Sequence, residues 1–395
     1  MTATTVGGRA DARPRQRSLA ALARPSAAYH LALGSGALLI VLGLIMVLSA
    51  SSVSAYATSG SSFSVFEKQA LWFAFGLPGL LIGMRVPTRV TRRIGYPLMI
   101  LAIVLLVAVL MPGVGRNVYG ARRWIALGPL QLQPSELAKV ALVVGGADLL
   151  ARKEKMLTRM RHLLVPLVPI SVLLALLVIA EPDMGTAIVL VVILLALLAV
   201  AGAPARVFGW TFGGLAAAFG LLAVAEPYRL ARLTTFVDPF KAANAAGYQT
   251  VQGLYAIASG GWWGLGLGAS RSKWGYLPNQ YTDYIFAVIG EELGLLGGLV
   301  VITLFALLGY AGFRIAQQAR DPFAQLVAAG ITAWIVGQAL INMCAVVGLL
   351  PVTGVPLPFV SFGGSALIFT MFALGILAAV GRESRGKPRK RPGIR

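Results

Sequence analysis

The stretch Tyr276-Leu-Pro-Asn-Gln-Tyr-Thr-Asp283-Tyr-Ile-Phe-Ala-Val-Ile-Gly290-Glu291-Glu292-Leu-Gly294 runs from a polar loop into an apolar segment. The pattern predicts a membrane-spanning helix over 284–313, with one carboxylate, Asp283, at its mouth. Glu291 and Glu292 enter that helix about 12 Å deeper, at a rise of roughly 1.5 Å per residue. Ionisable side chains in such a segment are costly and mark function by default. For Asp283 the competing reading is a helix N-cap, where Asp is favoured. The two glutamates are neighbours on a helix and point about 100° apart, so they cannot share one partner. One is expected to bind a cation or backbone inside the bundle and the other to face a cavity.

Outward from that segment the apolar pattern repeats. The 395 residues are 57% hydrophobic and 12% charged, against about 25% charged in ordinary soluble domains. Spans are predicted near 31–51, 69–84, 94–112, 135–151, 163–180, 184–203, 207–225, 284–313, 323–350 and 365–381. They leave no room for a sizeable soluble domain. The predicted fold class is therefore all-α, a polytopic membrane protein with ten transmembrane helices. With the N-terminus inside, 24 of the 34 Lys and Arg fall on the inner side, 9 on the outer side, and Lys139 lies within a span. That asymmetry is the positive-inside pattern, so both termini are expected to be cytoplasmic.

The net charge of +20 thus reflects orientation, and no nucleic-acid partner is expected. Residues 1–28 are predicted to be a disordered basic cytoplasmic tail, 29–381 the helical domain, and 382–395 a second basic tail. Both tails suit anionic lipid headgroups. The lone Cys344 excludes an intrachain disulfide. His30 and His162 lie far apart, and no metal cluster is apparent.

The outer loop 226–283, between the seventh and eighth spans, is the longest, and loops of that length rarely lack structure or purpose. It holds a helix-compatible piece at 249–258, where Gln249 and Gln252 would share a face. Trp262, Trp263, Trp274, Tyr276 and Tyr281 suit a membrane interface. Arg271 and Lys273 would meet either phosphate or lipid headgroups. The glycines from Gly264 to Gly268 lack the strand and spacing of a dinucleotide fingerprint.

The second outer loop reads Asn117-Val-Tyr-Gly-Ala-Arg122-Arg123-Trp124-Ile125, then Gln133-Pro-Ser-Glu136-Leu-Ala-Lys139. Arg122 and Arg123 can fork onto phosphate oxygens, and Trp124 can anchor at the interface. Glu136 and Lys139, at i,i+3, can pair on one helix face, either as part of a site or as a buried ion pair. Asp183, in Glu181-Pro-Asp-Met-Gly-Thr186, is placed to cap the sixth span. The Pro- and Gly-rich run Gly348 to Ser365 must be buried in protein or face water at membrane depth. It is expected to be a re-entrant loop near Asp283.

These motifs, in this order and on this topology, resemble the SEDS family (shape, elongation, division and sporulation) over essentially the whole chain beyond residue 30. Arg229, Arg232, Asp238-Pro239 and Gly247-Tyr248-Gln249 with Gln252 also match family positions. Two departures are a Val118-Tyr119 insertion between Asn117 and Gly120, and Phe362 where the family often has Tyr.

The resemblance implies a glycosyltransferase that polymerises lipid II into glycan strands at the outer face of the cytoplasmic membrane. Asp283 would take the proton of the attacking sugar hydroxyl while polyprenyl pyrophosphate departs. Arg122, Arg123, Trp124, Arg229, Gln249, Gln252 and Lys273 become candidates for pyrophosphate or headgroup contact. Glu136, Lys139, Asp183, Glu291 and Glu292 become a supporting polar core. The implied partners are lipid II, a class B penicillin-binding protein and other divisome membrane proteins. No cofactor is implied beyond a divalent cation, Mg or Mn, accompanying the pyrophosphate.

A lipid II flippase would instead need a polar path across the bilayer, and a scaffold would need neither feature. Ile289 to Gly294 and Arg271 to Pro278 look closer to division-type members than to elongation-type ones. The division-type proteins of high-GC Gram-positive bacteria are the nearest in pattern, which implies a place at the septum.

Overall fold

The computed structural model describes residues 25–118, 121–128, 130–154, 163–165, 167–214, 236, 238–243 and 247–384. Arg229, Arg232, His162 and nearly all of both expected tails lie outside these residues. Among the described residues the bundle comprises α1 Pro25–Ser59, α2 Ser64–Arg85, α3 Thr88–Leu110, α4 Pro134–Arg152, α5 Leu167–Ala180 and α6 Met184–Val200. Helical residues 205–214 form α7 and open the predicted seventh span, the rest of which lies outside the description. Then follow α8 Tyr248–Gly260, α9 Ile285–Gln318, α10 Pro322–Val346 and α11 Ser365–Glu383. Six of these helices (α1, α2, α3, α9, α10 and α11) are long and apolar enough to cross a membrane. The chain is a multi-pass, predominantly helical membrane protein.

Helix α4 sits at the centre, buried along almost its whole length. Its apolar residues lie on all sides, the signature of a helix surrounded by others. Helices α3, α6 and α10 pack around it, and α9 lies between α1 and α10. Helices α2 and α11 meet through glycines: a Cβ on Gly375 would fall 2.4 Å from the Leu80 carbonyl oxygen. Small residues at such crossings let backbones approach where lipid supplies no hydrophobic drive. Outward-facing Ile100, Val104 and Phe75 remain exposed, as lipid-facing side chains would be.

The fold was expected to be all-α, but most of the second outer loop, 113–134, is a three-stranded antiparallel sheet. Strands β1 Gly115–Val118, β2 Ala121–Leu127 and β3 Leu130–Leu132 pair in sequence order. Arg116 lies opposite Trp124 and Ala126 opposite Gln131, with a register shift after Arg116. Gly128, at φ +63°, supplies the left-handed turn between β2 and β3. The sheet closes the end of the bundle where α3 ends and α4 begins. Asp283 and the described residues 247–283 of the long loop lie at this same loop end, whereas Arg85 to Arg93, Arg152 and Arg320 lie at the opposite, basic end.

Candidate active site

Asp283 is half-buried in the turn that precedes α9. The N-cap position of α9 is occupied by Tyr284, one residue after Asp283. The backbone carbonyl of Asp283 accepts a hydrogen bond from Asn342 Nδ2 at 2.7 Å. A re-entrant segment, 351–364, wraps this turn. Ser361 Oγ donates to the Thr282 carbonyl at 2.6 Å and accepts from Leu357 N at 2.8 Å. Phe362 N donates to the Tyr281 carbonyl at 2.9 Å. Gly354, at φ +73°, turns its Cα towards the acid, and a Cβ there would stand 3.7 Å from Asp283 Oδ2. Non-helical backbone at this depth is tolerated because protein satisfies its polar groups.

A buried ladder on α10 supports the same segment. Asn342 Nδ2 also donates to the Val355 carbonyl at 2.8 Å, and Gln338 Nε2 donates to the Pro356 carbonyl at 2.9 Å. Gln338 Oε1 accepts from Lys139 Nζ and from Trp334 Nε1, both at 2.9 Å. Lys139 Nζ pairs with Glu136 Oε1 at 2.8 Å and lies 5.1 Å from the Trp334 ring centroid. Of the two sequence readings of Glu136 and Lys139, a buried ion pair is what this arrangement contains. Its physical role is to orient Gln338, and through Gln338 the backbone facing Asp283.

The sheet places the arginines on opposite faces, as alternate strand positions must. Arg122 is exposed, and Arg123 and Trp124 are half-buried. Arg123 Nε donates to the Glu181 carbonyl at 3.1 Å, and its Nη2 donates to the Pro182 carbonyl. Those bonds commit the guanidinium to the α5–α6 turn in this arrangement. Arg123→Ala is therefore expected to lower stability by about 1.5–3 kcal/mol, the range for hydrogen bonds to a charged group. Thermal unfolding of the purified variant checks this. Asp183 caps α6, accepting from Thr186 N at 3.1 Å and Thr186 Oγ1 at 2.8 Å, and it also receives Gln133 Nε2 at 3.2 Å.

Glu181, in the turn between α5 and α6, is fully buried, and neither carboxyl oxygen has a partner among the described residues. Burial pushes its pKa up to about 9, with Asp183 adding to the rise and Arg123 opposing it. A carboxyl raised in the folded state binds its proton there while the unfolded chain has already lost it. The protein is then most stable below the unfolded value of 4.5 and loses stability as pH climbs towards about 9. Glu181→Gln is expected to flatten that decline. Unfolding temperatures recorded across this range should converge for the two proteins below about pH 4.5 and diverge progressively from there towards about 9.

The long loop descends to the glutamates, so their depth in the helix does not isolate them. Glu291 accepts from Ser270 Oγ at 2.6 Å, Arg271 N at 2.9 Å and Ser272 N at 3.4 Å. Glu292 accepts from Ser49 Oγ of α1 at 2.7 Å and from Ser270 N at 3.4 Å. Lys273 Nζ lies 3.9 Å from Glu292 and donates to the Gly268 carbonyl. Both acids bind the bundle and its loop, and the expected cavity-facing glutamate is not found. Lys273 is buried in this clamp, so its ammonium is not presented to a headgroup. Helix α9 breaks at Gly294 (φ 68°, ψ −167°), and a Cβ on Gly264 would lie 2.1 Å from the Glu292 carbonyl oxygen.

Helix α8 lies along the start of α9 and covers the predicted 249–258 piece. Gln249 Nε2 donates to the Pro278 carbonyl at 3.4 Å, and Gln252 is half-buried. Trp262, Trp263 and Trp274 are exposed. Asn342, Gln338, Trp334, Ser49 and Glu181 were not singled out in the sequence. Asn342 and Gln338 could have been, since two amides at i,i+4 inside an apolar span are costly without partners.

The geometry can be compared with known proteins. Residues 29–386 match the family model for FtsW, RodA and SpoVE, described as cell cycle proteins. The chain is 44% identical over 373 residues to a probable peptidoglycan glycosyltransferase FtsW of Mycobacterium tuberculosis, covering 94% of this chain and 71% of that protein. It is 41% identical over 350 residues to stage V sporulation protein E of Bacillus subtilis, covering 88% and 95%. Among solved structures, a chain of a peptidoglycan synthase complex that coordinates polymerization and crosslinking matches with a TM-score of 0.74. The two are 27% identical, over 89% of this chain and 97% of that one. Rod shape determining protein RodA of Thermus thermophilus matches with a TM-score of 0.66 at 26% identity, over 90% and 97%. This chain belongs to the FtsW/RodA/SpoVE family of cell cycle proteins.

Proposed function

We propose that this protein is a peptidoglycan glycosyltransferase that polymerises lipid II, with Asp283 as general base. The observation that carries the reading is the half-buried Asp283 carboxylate, held through its backbone by Asn342 and facing Gly354 of the re-entrant segment. In the reaction the acceptor sugar hydroxyl attacks the anomeric carbon of the donor. The carbon–oxygen bond to polyprenyl pyrophosphate breaks, and the hydroxyl proton passes to Asp283. A fixed carboxylate serves that transfer better than a mobile one, because orientation is settled before the reaction begins. On the sheet, Arg122 and Arg116 are exposed and can meet a headgroup. Arg123 would contribute there only by leaving the 181–182 turn.

A flippase is less well supported. On α4, Lys139 is followed by Val, Ala, Leu, Val, Val, Gly, Gly and Ala before the next charge, Asp148. This buried stretch offers no polar stepping stones between the loop end and the basic end. Among the described residues no cluster of three or more ligating side chains could hold a metal. A Mg or Mn ion would accompany the pyrophosphate as part of the substrate.

The basic end would face the cytoplasm by the positive-inside pattern, and the loop end the exterior. A division role at the septum is favoured by the likeness to the mycobacterial FtsW. A class B penicillin-binding protein is the partner favoured by the likeness to the synthase complex. The test is to incubate the purified chain with lipid II, with and without that partner. Polymer on a gel is the expected result, with more of it when the partner is present. Lipid II crossing vesicles without polymer forming would overturn the reading.

A further inference from the structure

The basic end carries an ionic cluster that glycan chemistry at the loop end does not use. Asp148 of α4 is fully buried, and each of its oxygens takes one guanidinium. Arg92 Nε of α3 lies 2.7 Å from Oδ1, and Arg152 Nε of α4 lies 2.8 Å from Oδ2. Aromatic rings back both arginines. Arg92 Cζ stands 5.6 Å from the Phe323 centroid, and Arg152 Cζ stands 5.3 Å from that of Tyr96. One arginine would neutralise Asp148, so two leave a net positive charge. Their side chains are 35% and 58% exposed, and among the described residues their hydrogen bonds pass through Nε. The Nε bonds hold both guanidinium forks in place while each side chain keeps part of its surface exposed.

Directly along α3 from Arg92, at four-residue steps, stand Tyr96, Ile100 and Val104, all exposed. Residues at i,i+4 line one helix face. The stripe from Arg92 to Val104 is about 18 Å long at roughly 1.5 Å per residue. One leaflet of hydrocarbon is about half of roughly 30 Å. A phosphate at the arginines would therefore lay its acyl chain along this stripe. Arg89, Arg93 and Lys153 nearby add charge that would repel a choline headgroup.

We infer that Arg92 and Arg152, fixed by Asp148, form a binding site for the phosphodiester of an anionic phospholipid. Arginine forks match phosphate oxygens two at a time, and their geometry is already set here.

Native mass spectrometry of the detergent-purified full chain tests this, with phosphatidylglycerol, phosphatidylcholine or inorganic phosphate added separately. Phosphatidylglycerol adducts should be retained in preference to phosphatidylcholine. Arg152→Gln should weaken them roughly fivefold or more, the scale of a lost charge-assisted contact. Arg206→Gln removes an equal charge from the exposed start of α7 and should have little effect. Arg152→Gln leaves the Arg92–Asp148 pair intact. Should it still prevent folding, Arg152→Lys, which keeps the charge and loses the fork, replaces it with the same expected direction. Equal retention of the two lipids, equal loss from the Arg152 and Arg206 variants, or displacement of lipid by inorganic phosphate would each overturn the assignment.

Discussion

Asp283→Asn is expected to abolish glycan-strand synthesis by the purified protein while leaving its unfolding temperature nearly unchanged. The amide has almost the same shape and keeps one acceptor oxygen, and two bonds that fix this turn run through backbone carbonyls. Asn342 holds the Asp283 carbonyl, and Ser361 holds that of Thr282. A substitution at the carboxylate leaves both bonds in place. What disappears is the ability to accept a proton from the attacking hydroxyl. Positioned general bases contribute about 10²–10⁴-fold, so polymer should fall below detection on a gel of lipid II products. A variant that is folded and still makes strands of normal length would remove Asp283 from the chemistry.

Six of the ten expected spans were legible because length and apolar composition alone decide them, and α9 begins within two residues of its expected start. The 249–258 piece was legible too, since Tyr248–Gly260 has the glutamines and small residues a helix accepts. The sheet was not. Its strands have four, seven and three residues, and Arg122-Arg123-Trp124-Ile125 reads equally well as a basic loop. Without strand alternation, the opposite facings of Arg122 and Arg123 could not be anticipated. Lys273 was misjudged for a different reason. Its sequence neighbours are polar loop residues, whereas its partner Glu292 comes from the far side of a Gly-rich turn. The position of Asp283 at the mouth of α9 was legible, but not the groups that hold its backbone. Asn342 is 59 residues away on another helix, and only the fold brings it there.

Glu291→Ala should have the second large effect, on stability first and on activity as a consequence. Its carboxylate binds Ser270 Oγ and the backbone N–H groups of Arg271 and Ser272. It is itself buried, as are Ser270 and Ser272. Removing it strands donors that have no water to turn to, at about 1–3 kcal/mol for each orphaned group. A loss of roughly 3–5 kcal/mol is therefore expected, a large share of a stability that is marginal in most proteins. Glu291→Gln keeps one acceptor oxygen and should lose less. The loop that Glu291 clamps runs on through Trp274 and Pro278 to Asp283, so its release should also loosen the acid and lower polymer yield. Limited trypsin digestion reads the first step directly, because Arg271 and Lys273 lie within the clamped segment. Cleavage there should be slow in the parent protein, faster in Glu291→Gln and fastest in Glu291→Ala, with activity falling in the same order. Equal protection in all three would mean that the loop is held by its glycine contacts with α9 and not by the acid.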